Sequence, residues 1–216
     1  MSEGSEPQPA AVPGPVRPGP GDLESAFKFF RQWLREPRSV AAVAPSGREL
    51  ARHIAAAVGR GSRAVLELGG GTGVVTRALL ERGIPAETML VLELNPELHA
   101  HLRERFPGVE VALADAFDLV AQVRRSRGLA VGEVDAVASG LGLLNLSRAE
   151  QRRLLVAAFE VLRPGGRFVQ FTYAPRSPVG RELLEELALS ARRTHFSLRN
   201  LPPAFVYVLR RRPASE

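Results

Sequence analysis

Cysteine is absent from this chain of 216 residues, which excludes disulfides and thiolate metal sites. Lysine is almost absent: Lys28 stands alone, and the excess of cations behind a formal net charge of +6 is arginine. No apolar run approaches the roughly 18 residues of a membrane-spanning helix, and the acidic, proline-rich N-terminus has no apolar signal core. A cytoplasmic protein is therefore expected, in which the sequon at Asn145 carries no glycan. The four histidines, His53, His99, His101 and His195, fall into no metal-ligand spacing backed by acids, so no metal is expected.

What the chain does have is length enough for one α/β domain with a small appendage. Its arginines set up a field that attracts anions, with nucleic acid and anionic membrane as the two obvious targets, although compositional bias accounts for part of the excess. Residues 1–21 are rich in Pro, Gly, Ser and Ala and read as a flexible tail. Residues 22–60 read as N-terminal helices. In the first, Leu23, Ala26, Phe27, Phe30, Trp33 and Leu34 share one face, with Lys28, Arg31 and Arg35 on its flank and far side. That face either packs on the core or lies in a membrane surface. The second helix should start after Pro45-Ser46, capped by Ser46 with Glu49 as its partner, and run to about Val58.

From residue 61 to about 212 strands and helices alternate. Strands are expected at 64–68, 89–93, 109–112, 134–138 and 166–173, and helices at about 73–82, 96–105, 117–127 and 147–162. After Pro178 a helix should reach about Leu189, followed by an antiparallel hairpin from 194–199 and 204–209 that closes the sheet edge. Such alternation implies an α/β fold with a mostly parallel, seven-stranded sheet covered on both sides.

The most informative stretch is Ala64 to Gly73, an apolar run ending in an acid and then a loop of glycines. Twenty residues beyond Gly73, a second apolar run ends in Glu93. Glycines let the backbone turn sharply and approach a ligand closely, and an acid at the next strand end can accept from a ribose diol. The pairing describes a nucleotide site. The third glycine of a dinucleotide fingerprint is missing, since Val74 and Thr76 stand where it would fall, and a P-loop lysine is missing too.

In a parallel sheet the ligand lies along the carboxyl edge, so the later strand ends matter as well. The third offers Asp115-Ala116, a carboxylate for an exocyclic amino group and an N–H for a purine ring, or else a plain helix cap. The fourth leads through Ser139 to Asn145, and the fifth puts Tyr173 at the pocket mouth, as a half-buried aromatic or as a substrate contact.

Glu67-Leu68-Gly69-Gly70-Gly71-Thr72-Gly73 resembles the E-x-G-x-G-x-G motif of class I methyltransferases, with a Rossmann-like fold. Val43-Ala44-Pro45-Ser46, Ser139 to Asn145, Gln170 to Pro178 and Arg199 to Ala204 narrow the resemblance to the bacterial phospholipid N-methyltransferases over roughly residues 24–212. Gly70 and Gly142 stand where that family commonly has proline. The resemblance implies S-adenosylmethionine as donor and the amine of phosphatidylethanolamine as acceptor, on the way to phosphatidylcholine. It implies cofactor contacts from Ser46, Glu67, Gly69, Gly71, Thr72, Gly73, Glu93, Leu94, Asp115, Ala116 and Ser139. Tyr173 and Asn145 would orient the amine, with His195 a weaker choice as base, and Arg176 and Arg199 would take the lipid phosphate. Phe27, Lys28, Phe30, Arg31, Trp33, Leu34 and Arg35 would hold a monomer on the inner face of the cytoplasmic membrane, with no nucleic-acid partner. The other class of acceptor to weigh is RNA adenine, but Gly140-Leu141-Gly142-Leu143 has no aromatic to stack a flipped base.

Overall fold

The structure, a computed structural model, describes residues 45–174, 176–197 and 204–213. Helix α1 spans Pro45–Val58. It is followed by β1 (Val65–Leu68), α2 (Val74–Glu81), β2 (Met89–Glu93), α3 (Pro96–Arg105), β3 (Glu110–Leu113) and α4 (Leu119–Arg125). Then come β4 (Val134–Ser139), α5 (Arg148–Val161), β5 (Leu162–Thr172), α6 (Arg181–Glu186), β6 (Leu189–Ser197) and β7 (Ala204–Arg211). One seven-stranded sheet results, in the order β3-β2-β1-β4-β5-β7-β6. The first five strands are parallel, and β7 runs antiparallel between β5 and β6.

Every residue of β1 and β2 is buried, as expected of central parallel strands covered on both faces. Leu50, Ile54, Leu79, Leu102 and Phe106, from α1 to α3, pack on one face. Leu119, Val123, Leu154, Phe159 and Leu183, from α4 to α6, pack on the other. Local chemistry sets several boundaries. Asn95 caps α3 by accepting from Glu97 and Leu98, with Pro96 at the first helical position. Ser147 and Glu150 form a capping box for α5.

Three expectations change. Helix α1 runs from Pro45, so the Ser46 backbone lies within the helix rather than ahead of it as a cap. Strand β5 begins at Leu162, earlier than expected, because the chain bulges through Arg163-Pro164-Gly165-Gly166 and pairing resumes at Arg167 opposite Ala136. Helix α6 stops at Glu186, since Ala188 at φ 51° breaks it, and β6 starts at Leu189 because its register with β7 extends to Arg211. The expected membrane contacts Phe27, Lys28, Phe30, Arg31, Trp33, Leu34 and Arg35, and the expected phosphate contact Arg199, lie outside the described residues.

Candidate active site

At the carboxyl end of β1 the chain leaves the sheet through Gly69 to Gly73. Gly69 and Gly70 both donate backbone N–H bonds to the Leu92 carbonyl, at 2.8 and 3.3 Å, so β2 pins the loop. Gly71 sits at φ +55° with open space where a Cβ would be, which leaves its backbone accessible to a ligand. Gly70 is pressed inward instead: a Cβ there would stand 2.4 Å from Val91 Cγ1.

Glu93, at the end of β2, is 7% exposed. Its Oε2 accepts the Gly71 N–H at 2.8 Å and its Oε1 accepts the Asn95 N–H at 2.9 Å. One carboxylate thus braces the glycine loop and the start of α3, and each oxygen keeps a lone pair for a further donor. Around it opens a cavity of about 390 Å³, lined by Gly69, Gly71, Thr72, Glu93, Leu94 and Asp115 among others. Its size lies in the usual range for cofactor clefts. Ala116 and Asn145 also line it, as do Val75, Leu98, Phe117 and Leu146. Nothing in the sequence marks those last four as cofactor contacts, because apolar residues on or beside helices read as core.

Other expected cofactor residues stand back from the cavity. Gly73 adopts φ 76° as the N-cap of α2. Ser139 is buried, and its Oγ accepts from the Leu141 N–H at 3.3 Å. Glu67 is 2% exposed and accepts the Thr76 hydroxyl at 2.7 Å, tying the end of β1 to α2. Burial pushes its pKa up to about 8, against the Thr76 hydrogen bond and helped by the charge of Glu93, so it keeps its proton at neutral pH. Asp115 accepts from the Phe117 N–H at 2.9 Å, so it caps the short turn after β3 while also facing the cavity.

A smaller apolar cavity of about 60 Å³ adjoins the first, sharing Leu141, Gly142, Asn145 and Phe171 as walls. Tyr173 lines it with Leu144 and Pro178. The Tyr173 ring meets Phe171 edge-on at 5.8 Å, and burial raises the phenol pKa, so the group is neutral in use. Behind this wall Gln170 donates to the Leu141 and Phe171 carbonyls, each at 2.8 Å, and its buried Oε1 has no partner among the described residues. His195 stands elsewhere, stacked at 3.4 Å on His53 of α1, and it lines neither cavity. Arg176 is exposed and lines neither. Among the described residues no helix is long and apolar enough to cross a membrane, and no cluster of His, Asp and Glu could hold a metal.

Residues 65–166 match the family model of a methyltransferase domain. Ornithine lipid N-methyltransferase from Singulisphaera acidiphila is 32% identical over 194 residues, which span 87% of this chain and 97% of that protein. The chain belongs to the class I S-adenosylmethionine-dependent methyltransferases. Within this family it is also 35% identical over 105 residues to ubiquinone/menaquinone biosynthesis C-methyltransferase from Methylobacterium nodulans, across 49% of this chain and 40% of that enzyme. The same fold occurs in the 1,6-didemethyltoxoflavin-N1-methyltransferase of Burkholderia thailandensis, with a TM-score of 0.63, 18% identity and coverage of 94% and 95% of the two chains.

The methyltransferase cofactor is S-adenosylmethionine, and the larger cavity fits it chemically. The open backbone at Gly71 suits the amino-acid end, the Glu93 oxygens suit a ribose diol, and Asp115 with the Ala116 backbone suits the purine edge.

Proposed function

We propose that this methyltransferase methylates the primary amine of a membrane lipid head group. What supports the reading is the likeness to ornithine lipid N-methyltransferase across 97% of that protein, a relative whose name specifies both an amine acceptor and a lipid. The sequence resemblance favours phosphatidylethanolamine, en route to phosphatidylcholine, whereas this relative favours an ornithine head group. Both end in an alkyl amine, and the full-length relative puts the ornithine type first.

Bound in the larger cavity, S-adenosylmethionine supplies a methyl group on a sulfonium centre. The chain's part is placement, for which proximity can supply about 7 to 11 kcal/mol without any covalent nucleophile. An alkyl amine with a pKa near 10 is neutral only about one part in a thousand at pH 7, a penalty of about 4 kcal/mol. The apolar walls around Tyr173 oppose the charged form of an amine by desolvation. Tyr173, kept neutral by its own burial, serves better to orient the nitrogen than to take its proton. The Asn145 amide, on the wall common to both cavities, is placed to accept an amine N–H. This reading also puts the protein, as a monomer, on an anionic membrane surface through the amphipathic segment at 22–35, with Arg176 and Arg199 as phosphate contacts.

Purified protein with labelled methyl donor, incubated in parallel with ornithine-lipid vesicles, phosphatidylethanolamine vesicles and total RNA, tests the proposal. Label in an amino lipid is the expected result and names the acceptor. Label confined to RNA overturns the reading.

A further inference from the structure

Helices α1 and α2 and the end of α3 form a third basin, of about 60 Å³, which meets the larger cavity only at Val74. Four arginines line it: Arg48 and Arg52 from α1, Arg77 from α2 and Arg105 from the end of α3, with Glu81 as the single carboxylate. Outside the basin, five arginines among the described residues meet acids directly. Arg124 pairs with Glu160, Arg148 with Glu182 and Glu186, Arg152 with Glu186, Arg163 with Asp135, and Arg181 with Glu185. None of the four basin arginines forms an ion pair with a carboxylate among the described residues.

One member of the cluster is held in place. Arg105 donates to the Thr72 carbonyl at 3.2 Å, fixing one guanidinium between the basin and the glycine loop. Burial, together with the positive charges of Arg77 and Arg48, pushes the pKa of Arg105 down. Long cationic side chains on a free surface can swing apart. Four of them turned into one depression cost electrostatic energy, which an entering anion returns.

We propose that the basin formed by Arg48, Arg52, Arg77 and Arg105 binds a phosphate group, presented by an anionic phospholipid head group or by a free phosphate compound. A guanidinium fork matches phosphate oxygens in pairs, so a convergent set suits a tetrahedral oxyanion better than a lone carboxylate. The site is separate from the amine pocket, and the inference is independent of which acceptor is methylated.

The test uses the full chain and the variant R48Q/R52Q/R77Q, which leaves Arg105 on its loop. Circular dichroism and affinity for S-adenosylhomocysteine establish that the variant is folded; if it is not, R48Q/R52Q replaces it. Inorganic phosphate, compared with chloride at equal ionic strength, should raise the melting temperature of the wild type and leave the variant unmoved. Phosphatidylcholine vesicles with and without phosphatidylglycerol identify the source: with a lipid phosphate, anion-dependent pelleting of the variant falls on the order of 100-fold. Loss of the phosphate response with unchanged pelleting assigns the basin to a free phosphate compound. A phosphate response that is absent from the wild type, or equal in the two proteins, overturns the proposal whatever the vesicles show.

Discussion

The backbone N–H of Gly71 donates to Glu93 Oε2 across 2.8 Å, joining the loop after the first strand to the end of the second. The residue whose oxygens suit a ribose diol is therefore also the one that shapes the turn beside it. Glu93→Gln offers only one acceptor to the Gly71 and Asn95 N–H groups, leaving the other unpaired at a cost of about 1 to 3 kcal/mol. Titration calorimetry with S-adenosylhomocysteine should show binding weakened about 10- to 100-fold, and the melting temperature should fall by about 2 to 4 °C for each kcal/mol lost.

Gly70 and Gly71 should respond oppositely. A Cβ on Gly70 collides with Val91 and Leu102, so Gly70→Ala should cost about 1 to 3 kcal/mol of stability. Gly71 has room for a Cβ but sits at φ +55°, so Gly71→Ala costs about 1 kcal/mol in backbone strain and crowds the cavity. Urea unfolding should rank Gly70→Ala as the less stable, and cofactor titration should rank Gly71→Ala as the weaker binder.

Glu67 couples stability to pH. Its folded pKa is raised to about 8 from an ordinary 4.5, so the unfolded chain releases the proton first as pH rises. The contribution is fully present below about 4.5, is lost progressively toward about 8 and then levels off. Glu67→Gln keeps an acceptor for Thr76 and cannot ionise, so its melting temperature should gain on the wild type between pH 5 and about 8.5. Parallel melting curves across that window check it, and a constant difference between the two proteins contradicts the assignment.

Tyr173→Phe keeps the edge-on ring beside Phe171 and removes only the hydroxyl. If that hydroxyl orients the amine with one hydrogen bond, turnover should fall roughly tenfold while affinity for S-adenosylhomocysteine stays unchanged. Equal turnover in the two proteins removes Tyr173 from the mechanism.

The sheet was legible because its signals are local. Largely apolar runs at Val65–Leu68 and Met89–Glu93, each carrying one acid and followed closely by Gly or Asn-Pro, mark buried parallel strands and the loops that follow them. Glu93 and the glycine loop were readable for the same reason, since spacing along the chain alone sets their positions. The role of Glu67 was not, because nothing in its neighbours shows that Thr76 meets it or that the pair stands behind the loop rather than in the cavity. Gln170 escaped because its task depends on the Leu141 carbonyl, 29 residues earlier in the chain. The arginine basin escaped too, its members being drawn from three helices that are neighbours only after packing.

The placement of β7 between β5 and β6 governs the order in which the protein can be made. Until a ribosome has released residues 204–211, β5 presents a bare edge, and the half of the molecule that carries Tyr173 lacks its inner partner. The smaller cavity is accordingly finished only once β7 has emerged, whereas β1 to β4, whose ends carry the glycine loop, Glu93 and Asp115, can pair while synthesis is still under way.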